Sequence, residues 1–443
     1  MSLAASMRGF PEWLPDGQLV ESHVLASLRS TFELHGFGPL DTRAVETLEA
    51  LTGKGETDKE IYVLRRLQAS PDEADLGLGL HFDLTVPFAR YVRENAGRLA
   101  FPFRRYQIQK SWRGERPQEG RYREFLQADI DVVDRGSLPA HFEWEVPLVA
   151  AEALGRLPLP PIRVQVNNRK IVQGFFEGLG YTGEVTAALR ALDKLAKIGP
   201  EGVAAELEAA GVAPAQVGAC LRLGAVSSTD LSFVDEVRAI GVSSGLLDEG
   251  LAELSAVMEA GRAVSPGLFV ADLRITRGLD YYTGTVYETV MEGFESLGSI
   301  CSGGRYDDLV GAGGEPYPGV GISIGVTRIL GPLLSRGALR ASRLVPTCVL
   351  VAVADEDHRA DSEAAAASLR RRLVPAEVSP TSAKYGKQIR YAERRGIPFV
   401  WFPGGDGRPD EVRDIRSGEQ LEADASSWLP PEDDRLVTVA AAP

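Results

Sequence analysis

Polar and apolar residues alternate with a period of two along residues 105–133, and the alternation predicts a β-hairpin with two chemically different faces. On the first strand Gln107, Gln109, Ser111 and Arg113 share one face, with Tyr106, Ile108 and Trp112 on the other. Beyond a turn rich in Gly, Pro and charge, Phe125, Gln127, Asp129 and Asp131 lie together, opposed by Leu126, Ala128, Ile130 and Val132. An arginine, amides, an aromatic ring and two carboxylates on one sheet face make a surface equipped to bind something.

The same reading runs along the rest of the chain. Residues 17–35 predict an amphipathic helix, because Val20, Val24, Leu28 and Phe32 recur every four positions and Gly36 sits where a capping glycine would. Over 76–92 the alternation returns, with His81, Asp83 and Thr85 on one face and Leu80, Phe82 and Leu84 behind. Residues 141–157 read as a helix and 161–170 as a strand running into a helix. Residues 181–261 are rich in Ala, Leu and Glu with helical periodicity and few aromatics, which predicts a helical insertion. After the linker ALRASRLVP, strand-like runs (TCVLVAVA, AEVSP, IPFVWFP) alternate with helix-like ones (SEAAAASLRRRL, KYGKQIRYAERRG), the pattern of a compact α/β unit.

Composition narrows the class. At 443 residues the length suggests about three domains, and 44% hydrophobic with 25% charged residues is an ordinary globular balance. No apolar run approaches the ~20 residues of a membrane span, and MSLAASMRGF has neither the apolar core nor the basic leader of a secretory signal. Cys220, Cys301 and Cys348 are odd in number and far apart, which excludes a disulfide framework or a zinc cluster and points to buried apolar use in the cytoplasm. The net charge of −14 argues against indiscriminate nucleic-acid binding, although a local basic patch suffices for RNA. The four histidines other than His81 lack histidine neighbours at ligand spacing, and no protein-only metal site is expected.

The polar stretches also carry a resemblance. WRGERPQEGRYREF, with Arg113, resembles the second motif of class II aminoacyl-tRNA synthetases, and RGLDYYTGTVYE at 277–288 with SGGRYDDLVG at 302–311 resembles the two histidine-specific motifs of histidyl-tRNA synthetases. GFGPLDTRAVETLEALTG is similar to the first class II motif, with Arg43 in place of the usual proline, and IGVTR to the third, with Thr327 in place of the usual glutamate. His81 stands where an arginine is usual. The similarity runs from about residue 8 to about residue 425.

The resemblance implies an α+β fold: a catalytic domain with an antiparallel sheet flanked by helices (residues 1–180 and 262–335), a helical insertion (181–261) and an α/β anticodon-binding domain (346–443). It implies a histidine–tRNA ligase, most simply a homodimer, that uses ATP and Mg²⁺ to activate L-histidine and passes it to the 3′ end of tRNA(His). Activation gathers negative charge at the α-phosphate, where positioned arginines do most of the work. Arg113 and Arg277 are the residues expected to flank that phosphate and the histidine carboxylate, with Gln127 beside them. Asp83, Thr85 and Gln127 match the family's α-ammonium site, and Asp131, Tyr281 and Tyr282 its imidazole site, where Gly303 and Gly304 leave room for a ring. Phe125 and Arg328 match the planes that stack adenine, and Glu115 and Arg121 the contacts to its edge and to the γ-phosphate. For RNA, Arg116 and Gln118 match the acceptor-end contacts, and Lys387, Arg390 and Arg394 line one face of the helix in KYGKQIRYAERRGIPFV.

Two other readings share parts of this pattern. The regulatory subunit of ATP phosphoribosyltransferase has the catalytic fold and senses histidine without charging RNA, but generally lacks an anticodon domain. A decayed synthetase acting as an interaction protein is the other; the departures at Arg43, His81 and Thr327 are its support.

Overall fold

The computed structural model describes residues 7–52, 60–68, 77–275, 281–311, 314–405 and 408–442. The chain forms two compact units, one of Met1–Pro11 with Ser27–Pro332 and one of Glu12–Ala26 with Leu333–Pro443.

The first unit is built on strands β1 (Gly38–Pro39), β2 (Val45–Thr47), β3 (Leu78–Leu80), β4 (Phe103–Trp112), β5 (Glu124–Val133), β6 (Ile162–Asn168), β7 (Ser227–Ser228), β8 (Phe269–Asp272), β9 (Thr285–Met291), β10 (Cys301–Tyr306) and β11 (Gly319–Gly325). All but β2 and β3, which pair with each other, join one sheet in the order β1-β4-β5-β11-β10-β9-β6-β8-β7. The neighbours are antiparallel except for β1 with β4 and β6 with β8. The hairpin read from alternation is β4–β5, in the register Arg105↔Asp131, Gln107↔Asp129 and Gln109↔Gln127. On its other side β5 sets Asp131 against Gly321 and Asp129 against Ser323, and β11 in turn sets Ser323 against Ser302. A single polar row therefore crosses four strands, since side chains at paired positions share a face.

The helices are α1 (Pro15–Leu34), α2 (Leu48–Thr52), α3 (Thr85–Asn95), α4 (Phe142–Gly155), α5 (Arg169–Gly178), α6 (Val185–Asp193), α7 (Leu195–Ala209), α8 (Pro214–Ala225), α9 (Ser232–Arg238), α10 (Gly245–Val264) and α11 (Val326–Ser335). The apolar stripe expected of the first helix is buried, with Val20, Val24, Leu28 and Phe32 all at 3% exposure or less. Behind the polar row, Ala128, Ile130 and Val132 are fully buried, and α4 packs across β5, β6 and β11 with Val146, Val149 and Ala153 inward. Over 181–261 the elements are helical apart from the two-residue β7, which pairs antiparallel with β8 at the sheet's edge. Helix α10 lies directly on α5. Glycines allow that approach: a Cβ on Gly174 would sit 2.2 Å from the backbone nitrogen of Leu247, and one on Gly250 2.5 Å from that of Ile171.

The second unit adds β12 (Leu339–Ala341), β13 (Val349–Val351), α12 (Arg359–Arg371), β14 (Ala376–Val378), α13 (Tyr385–Arg395), β15 (Phe399–Phe402), β16 (Glu411–Asp414), β17 (Gln420–Glu422), α14 (Glu432–Arg435) and β18 (Val439–Ala441). Its main sheet has the order β14-β13-β15-β16-β17, with β13 parallel to both neighbours. Alternation along β13 separates two cores. Val349 and Val351 join Trp401 and, from α12, Ala366 and Leu369; Leu350 and Ala352 join Val400 and, from α13, Ala392. This is the α/β arrangement expected from the strand–helix alternation, with a mixed sheet between helices on opposite faces. Gly396 ends α13 in the left-handed conformation, φ +70°, which a residue without Cβ adopts readily.

Candidate active site

Two clefts adjoin over the polar row of the first unit's sheet. The first, of about 470 Å³, is lined by Asp83, Thr85, Gln127, Asp129, Asp131, Tyr281, Tyr282 and Tyr306. The second, of about 570 Å³, is lined by Glu115, Arg121, Phe125, Ser302 and Arg328. Arg113 and Gln127 line both.

Backbone architecture puts the side chains there. Asp83 precedes α3 and its Oδ1 accepts the Val86 N–H at 3.0 Å, so the carboxylate is fixed at a helix N-terminus. Burial nevertheless pushes its carboxyl above the usual range, against the pull of that N–H and of Arg113. Arg113 leaves the end of β4, donates from Nε to the Phe82 carbonyl at 3.0 Å, and holds its guanidinium carbon 5.1 Å from the centre of the Phe125 ring. Its remaining N–H groups are not used by that bond. In the second cleft Arg121 donates to Glu115 at 3.2 Å, and Arg328 donates to the Leu297 carbonyl.

The floor of the first cleft is strongly coupled. The Asp131 Oδ2 lies 2.6 Å from Arg105, and its Oδ1 accepts the Tyr306 hydroxyl at 2.7 Å. Arg105 is fully buried, with its guanidinium 4.2 Å from the centre of the Phe88 ring. Desolvation pushes Asp131 up to about 6, partly offset by Arg105. Asp129, beside it, is pushed up to about 7, chiefly by burial, with Asp131 adding repulsion that Arg105 opposes. The Tyr281 and Tyr282 rings pack at a tilt of 56° with centres 4.4 Å apart, and the Tyr281 hydroxyl donates to that of Tyr282 at 3.3 Å. Burial raises both phenols, so both keep their protons as possible donors.

Gly303 and Gly304 were expected to leave room for a substrate ring; the structure gives their lack of side chains another use. A Cβ on Gly303 would lie 2.1 Å from the Gly321 carbonyl, and one on Gly304 2.9 Å from the Tyr282 ring. The ring accommodated at Gly304 is that of Tyr282.

The three departures from the family pattern have local explanations. Arg43 donates to the buried Glu46, whose other oxygen accepts from Arg90 at 2.8 Å. The Thr327 hydroxyl accepts the Leu126 N–H at 2.8 Å, tying α11 to β5 next to Phe125. His81 is fully buried; its Nε2–H donates to the Lys110 carbonyl at 2.6 Å and its ring packs 5.5 Å from that of Trp112.

Arg277 lies outside the described residues, which resume at Tyr281. Arg116 and Gln118 are exposed in the β4–β5 turn, where Gln118 and Arg121 form an isolated bridge. In the second unit Lys387, Arg390 and Arg394 are exposed along α13 while Gln388 and Ala392 face inward. Alternation missed some of the site. Arg105 has the same parity as Gln107 and Arg113, and Asp129 was placed on the polar face without a role. Ser323 enters only through strand pairing, which no single-strand pattern shows and which also brings Ser302, from the SGGRYDDLVG segment, beside it.

A mostly antiparallel sheet backed by helices, with a hairpin arginine shared by two adjoining clefts, is the architecture of a class II aminoacyl-tRNA synthetase. The model of the family described as histidyl-tRNA synthetase matches residues 9–329. Over 98% of both chains the sequence is 56% identical to the histidine–tRNA ligase of Cutibacterium acnes. The histidyl-tRNA synthetase of Nostoc sp. PCC 7120 has a similar structure, with a TM-score of 0.86 at 35% identity, covering 95% of this chain and 97% of that one. A Bacillus halodurans protein described as an ATP phosphoribosyltransferase regulatory subunit/histidyl-tRNA synthetase, TM-score 0.74 over 91% of this chain and 99% of its own, is 18% identical and shares the fold. The chain belongs to the histidyl-tRNA synthetase family.

Proposed function

We propose that the two clefts carry the first step of histidine–tRNA ligation, the attack of the L-histidine carboxylate on the α-phosphorus of ATP with departure of pyrophosphate. The terminal ribose hydroxyl of tRNA(His) then attacks the carbonyl of the resulting mixed anhydride and AMP leaves. One observation carries this reading: Arg113 lines both clefts, so a single planar guanidinium can face an amino-acid carboxylate and a nucleotide α-phosphate together. Its bond to the Phe82 carbonyl fixes it before substrate arrives, so little reorganisation is needed as charge develops. Arg277 is assigned the opposite side of the phosphate on the family's pattern.

Asp83, Thr85 and Gln127 take the α-ammonium, and the wall formed by Asp131, Tyr281 and Tyr282 takes the imidazole. Phe125 and Arg328 supply planes for adenine, with Glu115 and Arg121 at its edge and at the γ-phosphate. Among the described residues no three His, Cys, Asp or Glu side chains come together as a metal cage. Mg²⁺ belongs here as part of the ATP substrate, neutralising phosphate charge; Glu288, which lines a cleft together with Arg113 and Arg328, is a carboxylate that would hold it beside phosphate oxygens. Arg116 and Gln118 are assigned to the tRNA acceptor end, and Lys387, Arg390 and Arg394 to the anticodon arm. The reading includes a cytoplasmic homodimer, for which the first-motif segment at 36–53 would supply the contact, and a division into catalytic (1–180, 262–335), helical (181–261) and anticodon-binding (346–443) domains.

The test is ATP–pyrophosphate exchange by the purified chain with each of several amino acids. Exchange supported by histidine alone is expected. Histidine binding without exchange would leave a sensor and remove the ligase.

A further inference from the structure

Residues 113–123 join β4 to β5 and carry Arg113, Glu115 and Arg121, the groups assigned to ATP. The ladder itself ends at Trp112↔Glu124, so the geometry of the turn depends on what holds it from outside. On the β5 side the Gly9 carbonyl accepts two successive N–H groups, those of Arg123 at 2.7 Å and Glu124 at 3.0 Å. Arg123 carries this anchorage inward. Its carbonyl accepts the Arg113 N–H at 2.9 Å, and its Nε–H donates to the Glu115 carbonyl at 3.3 Å. A single residue therefore links Gly9 to both Arg113 and Glu115.

Two further contacts complete the support. On the β4 side the Glu60 carbonyl accepts the Gly114 N–H at 2.7 Å. Towards α11, the Tyr122 hydroxyl fills the space beside Gly331, 2.0 Å from where a Cβ would stand. Gly9 suits its post for two reasons. Its φ of +86° lies in the left-handed region, and a Cβ there would sit 2.9 Å from the Pro117 Cγ and 3.0 Å from the Arg123 Cγ. A side chain would push the segment off the turn and leave two N–H groups without their acceptor. The next residue ties the segment to the opposite support, since the Phe10 ring meets that of Tyr62 edge-on with centres 6.4 Å apart.

Building on the proposed function, we propose that residues 7–11 form a strap and that Gly9 is a positioning residue for adenylate formation. By holding Arg123 it sets where Arg113 and Glu115 stand relative to ATP. Gly9 itself lines neither cleft, so it acts only through the turn. Asp83, Thr85 and Gln127 stand at the start of α3 and on β5, outside the turn, and the Arg113 Nε–H is fixed separately by the Phe82 carbonyl. Histidine affinity should therefore not follow the strap, whereas use of ATP should.

The experiment compares the full chain as wild type, Gly9→Ala, Gly9→Val and Gly241→Val, by exchange kinetics, calorimetric titration with L-histidine and melting temperature. Gly241 is the control: its φ is +85° and nothing lies within 4 Å of its Cβ position, so a side chain there brings backbone strain away from the turn. Misplacing reacting groups by ~1 Å can cost about 10²-fold, and the supports from Glu60 and α11 remain. Gly9→Val should therefore lower kcat/KM for ATP by about 10–100-fold and Gly9→Ala by less, with the Kd for histidine unchanged. Gly241→Val should lose stability while keeping wild-type ATP kinetics, a split that a merely structural role for Gly9 would not produce. Phe10→Ala leaves the Gly9 backbone unstrained and should shift ATP kinetics in the same direction, which keeps the test decisive if Gly9→Val does not fold. Wild-type ATP kinetics in both Gly9→Ala and Phe10→Ala would overturn the assignment. So would a loss of histidine affinity in step with the loss for ATP, or an equal ATP defect in Gly241→Val. Failure of wild type to exchange with histidine would instead sink the ligase reading itself.

Discussion

Arg105 and Asp131 face each other across the β4–β5 ladder as a buried ion pair 2.6 Å apart, at 0% and 3% exposure, on the floor of the first cleft. Such a pair gains less from its own attraction than its distance suggests, because both charges have left water. Removing one partner is a different matter, since the other charge is then stranded. Arg105→Ala should destabilise the first unit by about 3–5 kcal/mol, read as a lower urea midpoint. Arg105→Met should be similar, whereas a paired Arg105→Met/Asp131→Leu replacement should recover much of the loss. Equal stability of Arg105→Ala and wild type would show that the pair does not form.

The same floor sets a pH dependence. Asp131 at about 6 and Asp129 at about 7 both sit above the ordinary carboxylate value, mainly because burial disfavours their charged forms. These two groups therefore bind more protons in the folded protein than in the unfolded chain between about pH 4 and pH 7, and in that window their contribution to stability falls as pH rises. The contribution is complete below the unfolded pKa and gone above the folded one. Melting temperatures of the substrate-free protein across pH 4–8 should show this decline, and Asp129→Asn should flatten it. A wild-type profile whose slope is unchanged by that substitution would contradict the environment described for Asp129.

Charge on α13 gives a separate prediction. If Lys387, Arg390 and Arg394 contact RNA phosphates, replacing all three by Ala should lower kcat/KM for tRNA(His) charging by about tenfold or more at moderate salt and reduce its salt dependence. Histidine-dependent exchange, which involves no tRNA, should stay at the wild-type rate. Unaltered charging would return these residues to a solvated helix face.

Much of this architecture was readable from residue order. The β4–β5 hairpin followed from strict alternation, and α1 from the four-residue spacing of Val20, Val24, Leu28 and Phe32, because a face that must be buried imposes its period on the sequence. What could not be read depended on which strands become neighbours. Ser323 and Asp129 are almost 200 positions apart and meet only because β11 pairs with β5. The pairing of Asp131 with Arg105 and Tyr306 is of the same kind. Thr327 looked like a defect in the third motif; it is a hydroxyl answering a backbone N–H on β5.

The central claim is that Arg113 serves the amino acid and the nucleotide at once. It is tested most directly by rapid-quench measurement of histidyl-adenylate formation in wild type and Arg113→Ala, at saturating ATP and histidine. Loss of a preorganised cationic donor at the developing charge should slow the step roughly 10²–10³-fold, with the fold, followed by circular dichroism, unchanged. Adenylate formation at the wild-type rate in Arg113→Ala would contradict the account.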